Sequence, residues 1–264
     1  MQGPARGNVL LRREQYRRAD NREASVDIAR NFITGKVFNG RWVLERALRD
    51  HALRIDVDSV RKASNALKET IAEVKGSCDL DSLRGFEGDA ASAYFGVLNE
   101  LILRDKEKFH FASRRRRPPT DPVNAMLSLF YTVLSSDCSS ALERVGLDPC
   151  VGFMHADRPG RKSLALNLME ELRPAMVDRF VLTAINNRII SPASFELLES
   201  GEVRLKEKGR KELFTAWQSR KKEVILHPFL KEKVPWGLVP HVQALLLARC
   251  IRGDLEGYPP FLWK

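Results

Sequence analysis

The sequence is poor in the features that mark a secreted, membrane-borne or disulfide-stapled chain. Only four of its 264 residues are cysteine (Cys78, Cys138, Cys150 and Cys250), scattered and with no CxxC pair. That spacing argues against structural zinc and against a disulfide framework, and fits reduced thiols in a cytoplasmic protein. No apolar run approaches the ~20 residues needed to cross a bilayer. The opening stretch, MQGPARGNVLLRREQY, has neither an uninterrupted apolar segment nor a small-residue cleavage site. No secretory signal is therefore expected, and the expected location is the cytoplasm. Internal repeats and low-complexity tracts are also missing.

Acidic residues are the minority charge. Lys and Arg number 44 against 34 Asp and Glu, a formal charge of +10. A polyanionic partner follows, nucleic acid ahead of a membrane because no lipid-facing amphipathic helix stands out; a solvated basic surface is the plain alternative. At 44% hydrophobic and 30% charged residues, the composition is that of a folded globular chain.

Apolar residues recur mostly at helical spacing. The pattern predicts helices from Asp20 to about His51, with breaks near Gly35 and Gly40, and over about Asp56–Val74. Further helices are predicted over Leu83–Leu103, Pro122–Ser135, Ser139–Val145, from Ser163 past Pro174, over Ser191–Leu198, Gly209–Val224 and Leu238–Ile251. Alternation of Val203 and Leu205 with charges predicts a small β-hairpin near 202–208. Asp121 reads as a helix cap followed by Pro122 at the first turn. The fold class is mainly α.

Three stretches carry chemistry-bearing residues. In Val151–Arg173 a short apolar run ends at His155, a Gly- and Pro-bearing loop follows, and a helix places Asn167 and Glu170 three residues apart on one face. Pro174 excludes the hydrogen bond to the Glu170 carbonyl and should bend the helix there. Glu87 lies beside the apolar stripe of its helix, flanked by Gly85 and Gly88; complementing the helix dipole is the plain alternative. Arg114, Arg115, Arg116 and Arg117 precede two prolines and fit a phosphate-contacting loop or a solvated linker. A second basic set, Arg210, Lys211, Arg220, Lys221 and Lys222, surrounds Trp217. Asn124, Ser128 and Tyr131 share one edge of their helix. Glu87, His155, Asn167 and Glu170 are candidate ligands for a hard cation, magnesium or manganese, although each alone also has a structural reading.

Four segments in order carry a resemblance: GFEG (Gly85–Gly88), RRPPTDPVNAMLSLFY (Arg116–Tyr131), GLDPCVGFMH (Gly146–His155) and SLALNLMEELRP (Ser163–Pro174). Together they resemble the CRISPR-associated spacer-acquisition integrase, the first and near-universal Cas protein. The closing QALLLARCIRGDLEGYPPFLWK looks like the variants attached to subtype I-C systems. The resemblance implies a helical catalytic domain over 19–264, with 1–18 as the remnant of an N-terminal β-domain and linker. It implies a metal-dependent DNA integrase and endonuclease that inserts short duplexes into a CRISPR array by 3′-hydroxyl attack on a phosphodiester. By motif match, the implied metal ligands and catalytic residues are Glu87, His155 and Glu170, with Mg2+ or Mn2+ as the ion. The implied partners are double-stranded DNA (the spacer precursor and the CRISPR repeat), a small ferredoxin-like adaptation subunit and a second copy of the chain. The two arginine-rich segments would contact phosphates, and Asn124 and Tyr131 would support the site. The sequence departs from the family pattern at Asn167, where an acid is usual, so a catalytically impaired DNA- or partner-binding form is the alternative reading.

Overall fold

The computed structural model of the protein describes residues 9–115, 117–155 and 157–264. Nine α-helices among the described residues carry the architecture: α1 (Val9–Asp20), α2 (Arg22–His51), α3 (Val57–Gly76), α4 (Leu80–Gly96), α5 (Pro122–Val145), α6 (Ser163–Leu172), α7 (Arg179–Asn186), α8 (Glu207–Lys222) and α9 (Val239–Arg252). Helix starts follow the capping residues. The side chains of Asn21, Asp56, Asp79 and Asp121 each accept the backbone N–H three residues on, satisfying a donor that has no partner within its helix. Gly146 and Gly253 end α5 and α9 at φ 89° and 85°, a left-handed conformation that side chains resist.

Helix α2 is the axis of the molecule, packed by α1, α3, α4 and α6. Phe32, Ile33 and Leu44 are wholly buried along it. The breaks expected at Gly35 and Gly40 do not occur, and α2 runs unbroken for 30 residues. Both glycines are crossing points instead. A Cβ on Gly35 would stand 2.7 Å from Glu171 Cβ, so the missing side chain lets α6 lie directly on α2; Gly40 faces the Tyr94 ring. The two helices expected over Pro122–Ser135 and Ser139–Val145 are likewise one helix, α5. Phe130 and Leu142, buried on either side of the expected gap, hold it against the core.

The bend expected at Pro174 takes a specific form. Between α6 and α7 the chain widens into a π-helical segment, Arg173–Asp178. The wider turn accommodates a residue that cannot donate to the ordinary ladder.

Strands are few. β1 (Phe195–Leu197) pairs antiparallel with β2 (Val203–Leu205), and β3 (Val224–Leu226) with β4 (Lys233–Pro235). The first hairpin contains the expected 203–205 strand, but its partner is the segment expected to be helical at Ser191–Leu198. The second hairpin carried no alternation signal. At the N-terminus Val9–Asp20 is helix, and residues 1–8 of the expected β remnant lie outside the described residues. Helix α1 packs against α2 and α9. Gln15, fully buried, donates to the carbonyls of Asp148 and Val151 at 2.8 and 2.9 Å and accepts the Asp148 N–H. Helix α1 therefore braces the chain leading into His155.

Candidate active site

Glu87, half-buried on α4, and Glu170, buried on α6, meet at one point, the ammonium of Lys36 from α2. Lys36 Nζ stands 2.7 Å from Glu170 Oε2 and also contacts Glu87 Oε1. Arg173, one turn after Glu170, closes the other side at 3.0 Å from Glu170 Oε1. Two carboxylates thus face two cations in a largely buried setting. Burial alone would push the Glu170 carboxyl up, but Arg173 and Lys36 outweigh it and hold it down to about 2. Position 36 was legible in the sequence only as one of several basic residues on a polar helix face.

His155, on the loop before α6, lies within electrostatic range of Glu170 and Glu87. Burial pushes its imidazole down to about 4, against the pull of Glu170 and Glu87, so the ring is neutral at pH 7. Asn167, wholly buried, organises this loop. Its Oδ1 accepts the N–H groups of Phe153 and Met154 at 2.9 and 3.2 Å, and its Nδ2 contacts His155 Nδ1. Gly152 is obligatory at this turn, because a Cβ there would stand 2.7 Å from Asn167 Oδ1 and within 3.0 Å of Ser163.

Whether these groups fit a divalent cation divides by residue. The carboxylate pair fits: Glu87 and Glu170 already hold a cationic group, the Lys36 ammonium, between them. The imidazole does not fit as held, since the Asn167 amide donates to Nδ1. No cluster of three ligating side chains at coordinating distance is present among the described residues.

Tyr131 and Asn124 lie behind the site. Tyr131 donates to Asp178 at 2.5 Å, and its ring carries the guanidinium groups of Arg114 and Arg173 at 5.3 and 4.8 Å. Burial pushes the Asp178 carboxyl up to about 6, although the bond from Tyr131 opposes it. Neither Asp178 nor Arg173 stood out from the sequence. Asn124 is fully buried and turned inward: it accepts from Arg114 and the Arg115 backbone and donates to Ser113 and Asp121.

The four-arginine run therefore divides. Arg114 bonds Asn124 and Ser128 and belongs to the scaffold. Arg115 and Arg117 are exposed, and Arg116 lies outside the described residues. Arg117, Ser135, Ser136, Lys162 and Arg173 line an open groove of about 410 Å3 that ends at the Arg173 side of the site. On α8, Arg210, Lys211 and Lys222 are exposed. Lys221 pairs with Asp137 at 2.9 Å, while Arg220 stacks on Trp236 and lies 3.5 Å from Glu223. Trp217 is buried against Phe130 and Phe180, which anchors α8 to α5 and α7.

The chain is helical and strongly basic, and its acidic pair lies beside a groove lined by Arg117, Lys162 and Arg173. Comparison with known proteins names the family. The description CRISPR associated protein Cas1 matches residues 1–219. A CRISPR-associated endonuclease Cas1 of Chlorobaculum tepidum is 50% identical over the whole chain, which spans 77% of that protein. Among solved structures, a casposase bound to integration product superposes at TM-score 0.85 with 25% identity, over 99% of this chain and 70% of that one. A partial Cas6-RT-Cas1–Cas2 complex superposes at 0.81 with 26% identity, over 100% of this chain and 76% of that one. The chain belongs to the Cas1 family.

Proposed function

We propose that the protein is a DNA integrase and endonuclease of CRISPR adaptation. In the proposed reaction a 3′-hydroxyl of a short duplex attacks a phosphodiester of the CRISPR repeat. A new phosphorus–oxygen bond forms as the old 3′-oxygen leaves with its electron pair, and the strands exchange without hydrolysis. The observation that carries this reading is the meeting of Glu87 and Glu170, from α4 and α6, at Lys36, within electrostatic range of His155 and beside the basic groove that Arg173 lines.

In this account Arg117, Lys162 and exposed Arg115 draw the DNA backbone into the groove without reading its sequence. Arg173 lies at the groove's end and neutralises charge next to the reacting phosphate while holding Glu170. Lys36 bridges the two carboxylates in the resting protein and must swing aside for them to hold a Mg2+ or Mn2+. Such an ion, when bound, would offset charge on the attacked phosphate and favour the attacking oxygenate. Partners on this reading are duplex DNA, a small ferredoxin-like adaptation subunit and a second copy of the chain, all in the cytoplasm. The casposase carries an integration product in its solved structure, and the other neighbour is a Cas1–Cas2 assembly, which supports DNA and a partner protein here.

Asn167 favours one second reading, a form that binds DNA or its partner but transfers strands poorly, because its amide occupies His155 Nδ1. The test is strand transfer of an end-labelled duplex into a repeat-bearing plasmid with Mg2+ or Mn2+. Glu87→Ala and His155→Ala should each abolish the product while leaving duplex binding in place. Equal product from both variants and the parent would refute the assignment. Retained DNA binding with no product from the parent would favour the second reading.

A further inference from the structure

Asn167 does more than remove a charge, because it dictates which nitrogen of His155 carries the proton. The amide orientation is fixed by the backbone. Two N–H groups, from Phe153 and Met154, point at one atom of the Asn167 side chain, and that atom must be the oxygen. The other end of the amide is then the –NH2, which can only donate, and it lies against His155 Nδ1. A ring nitrogen that accepts a hydrogen bond carries no proton. The proton of the neutral imidazole must therefore sit on Nε2.

We propose that Asn167 locks His155 in the Nε2–H form, so that the ring offers the site a donor instead of a lone pair. An aspartate at 167 would reverse the arrangement. One carboxylate oxygen would still accept the two backbone N–H groups, so the loop would keep its shape. The other would accept from His155 Nδ1–H and leave Nε2 bare, the state an imidazole needs to ligate a metal ion. The position thus acts as a tautomer selector. Its consequence for metal binding rests on the Proposed function, whereas the tautomer assignment stands on the loop geometry alone.

Among the described residues, nothing else near Asn167 rescues the ligating form. Oδ1 is already engaged by two donors, and the side chain is fully buried, so it cannot turn to water. Rotating the amide would place –NH2 against two backbone N–H groups, leaving buried donors facing one another with no acceptor between them.

The test is the two-bond 15N–1H correlation spectrum of the imidazole in the 264-residue chain and in its Asn167→Asp variant, run with calorimetric Mn2+ titrations. Backbone amide spectra would establish that both forms are folded. The expected result is protonated Nε2 in the parent and protonated Nδ1 in the variant. Mn2+ affinity should rise by at least about tenfold, the effect typical of a residue that orients a metal-ligating histidine. Protonated Nδ1 in the parent, or no change of tautomer in the variant, would overturn the proposal. A switch of tautomer with no Mn2+ binding in either protein would support the tautomer lock and remove the metal-site reading. If Asn167→Asp does not fold, protonated Nδ1 in the parent would still overturn the proposal, and protonated Nε2 would support it.

Discussion

Lys36 shows how one residue sets the charge balance of the site. Its side chain is 13% exposed and that of Glu170 4%, so the pair is nearly dry. Replacing Lys36 with Met leaves Glu170 with Arg173 as its remaining partner, and breaking such a pair costs about 3–5 kcal/mol. Urea denaturation at pH 7 should register a loss toward the lower end of that range, because Arg173 stays; an unchanged midpoint would show that Lys36 is not held between the carboxylates. Tyr131 offers a second check. Tyr131→Phe removes the donor to Asp178, which is fully buried, and should cost about 1–3 kcal/mol by the same measurement. The stabilities of Tyr131→Phe and wild type should diverge most above pH 6, where Asp178 is ionised. At this scale the sequence was informative in one direction. Glu87, His155 and Glu170 could be nominated from helix phase and motif order. Lys36 could not, because its partner Glu87 is 51 positions away and its helix neighbours look like a solvated face. Arg114 was nominated with its neighbours, yet it folds inward. A run of identical side chains carries no signal for which member the scaffold takes.

At the scale of elements, close approach explains what periodicity missed. Glycine inside a helical pattern lowers helix propensity, so breaks at Gly35 and Gly40 were a reasonable expectation. Tertiary contact overrides it: Gly35 is where α6 lies on α2, and α6 carries Glu170. Gly35→Ala would force the Cβ into Glu171 and should cost about 1–3 kcal/mol by overpacking, even though alanine is the better helix former. Thermal unfolding checks the sign; a gain in stability would mean that the crossing is looser than the structure has it. Pro174 worked the other way. Its missing N–H predicted an irregularity, and the π-helical segment appears there, with Arg173 at its first position and Asp178 at its last. The hairpin at Val224–Pro235 gave no warning, since Val224, Ile225 and Leu226 are an unbroken apolar run with no alternation to mark a strand.

At the scale of the whole molecule, buried carboxylates give stability a definite pH dependence. Burial raises the Glu171 carboxyl from 4.5 to about 7, although Tyr258, Gln243 and the Phe261 N–H all donate to it. The folded state therefore binds a proton that the unfolded chain has released between those values. That stability is fully present below pH 4.5 and is lost as pH rises through about 7, amounting to about 3 kcal/mol. Asp178, raised from 3.8 to about 6, acts in the same sense. Glu170 acts in the opposite sense, with stability lost as pH falls from 4.5 toward about 2. Unfolding free energy should consequently fall between pH 5 and pH 8, and a steady rise over that interval would contradict the burial of Glu171 and Asp178. The mainly helical class was legible in the sequence because it rests on the 3.6-residue period, which most of the chain repeats. The joining of α1 to the body through Gln15 was not, since one buried amide leaves no periodic trace.

On the proposed function, DNA lies in the groove between Arg117 and Lys162, with its reacting phosphate beside Glu87, His155 and Glu170. Photo-crosslinking tests it without requiring turnover. A duplex carrying a photoreactive group at its 3′-terminal nucleotide would be irradiated with the protein, and the adducts mapped by peptide mass spectrometry. The account predicts adducts within residues 114–117 and 152–173. Adducts confined to α8 or to the α2–α3 surface, with the groove unmodified, would contradict it.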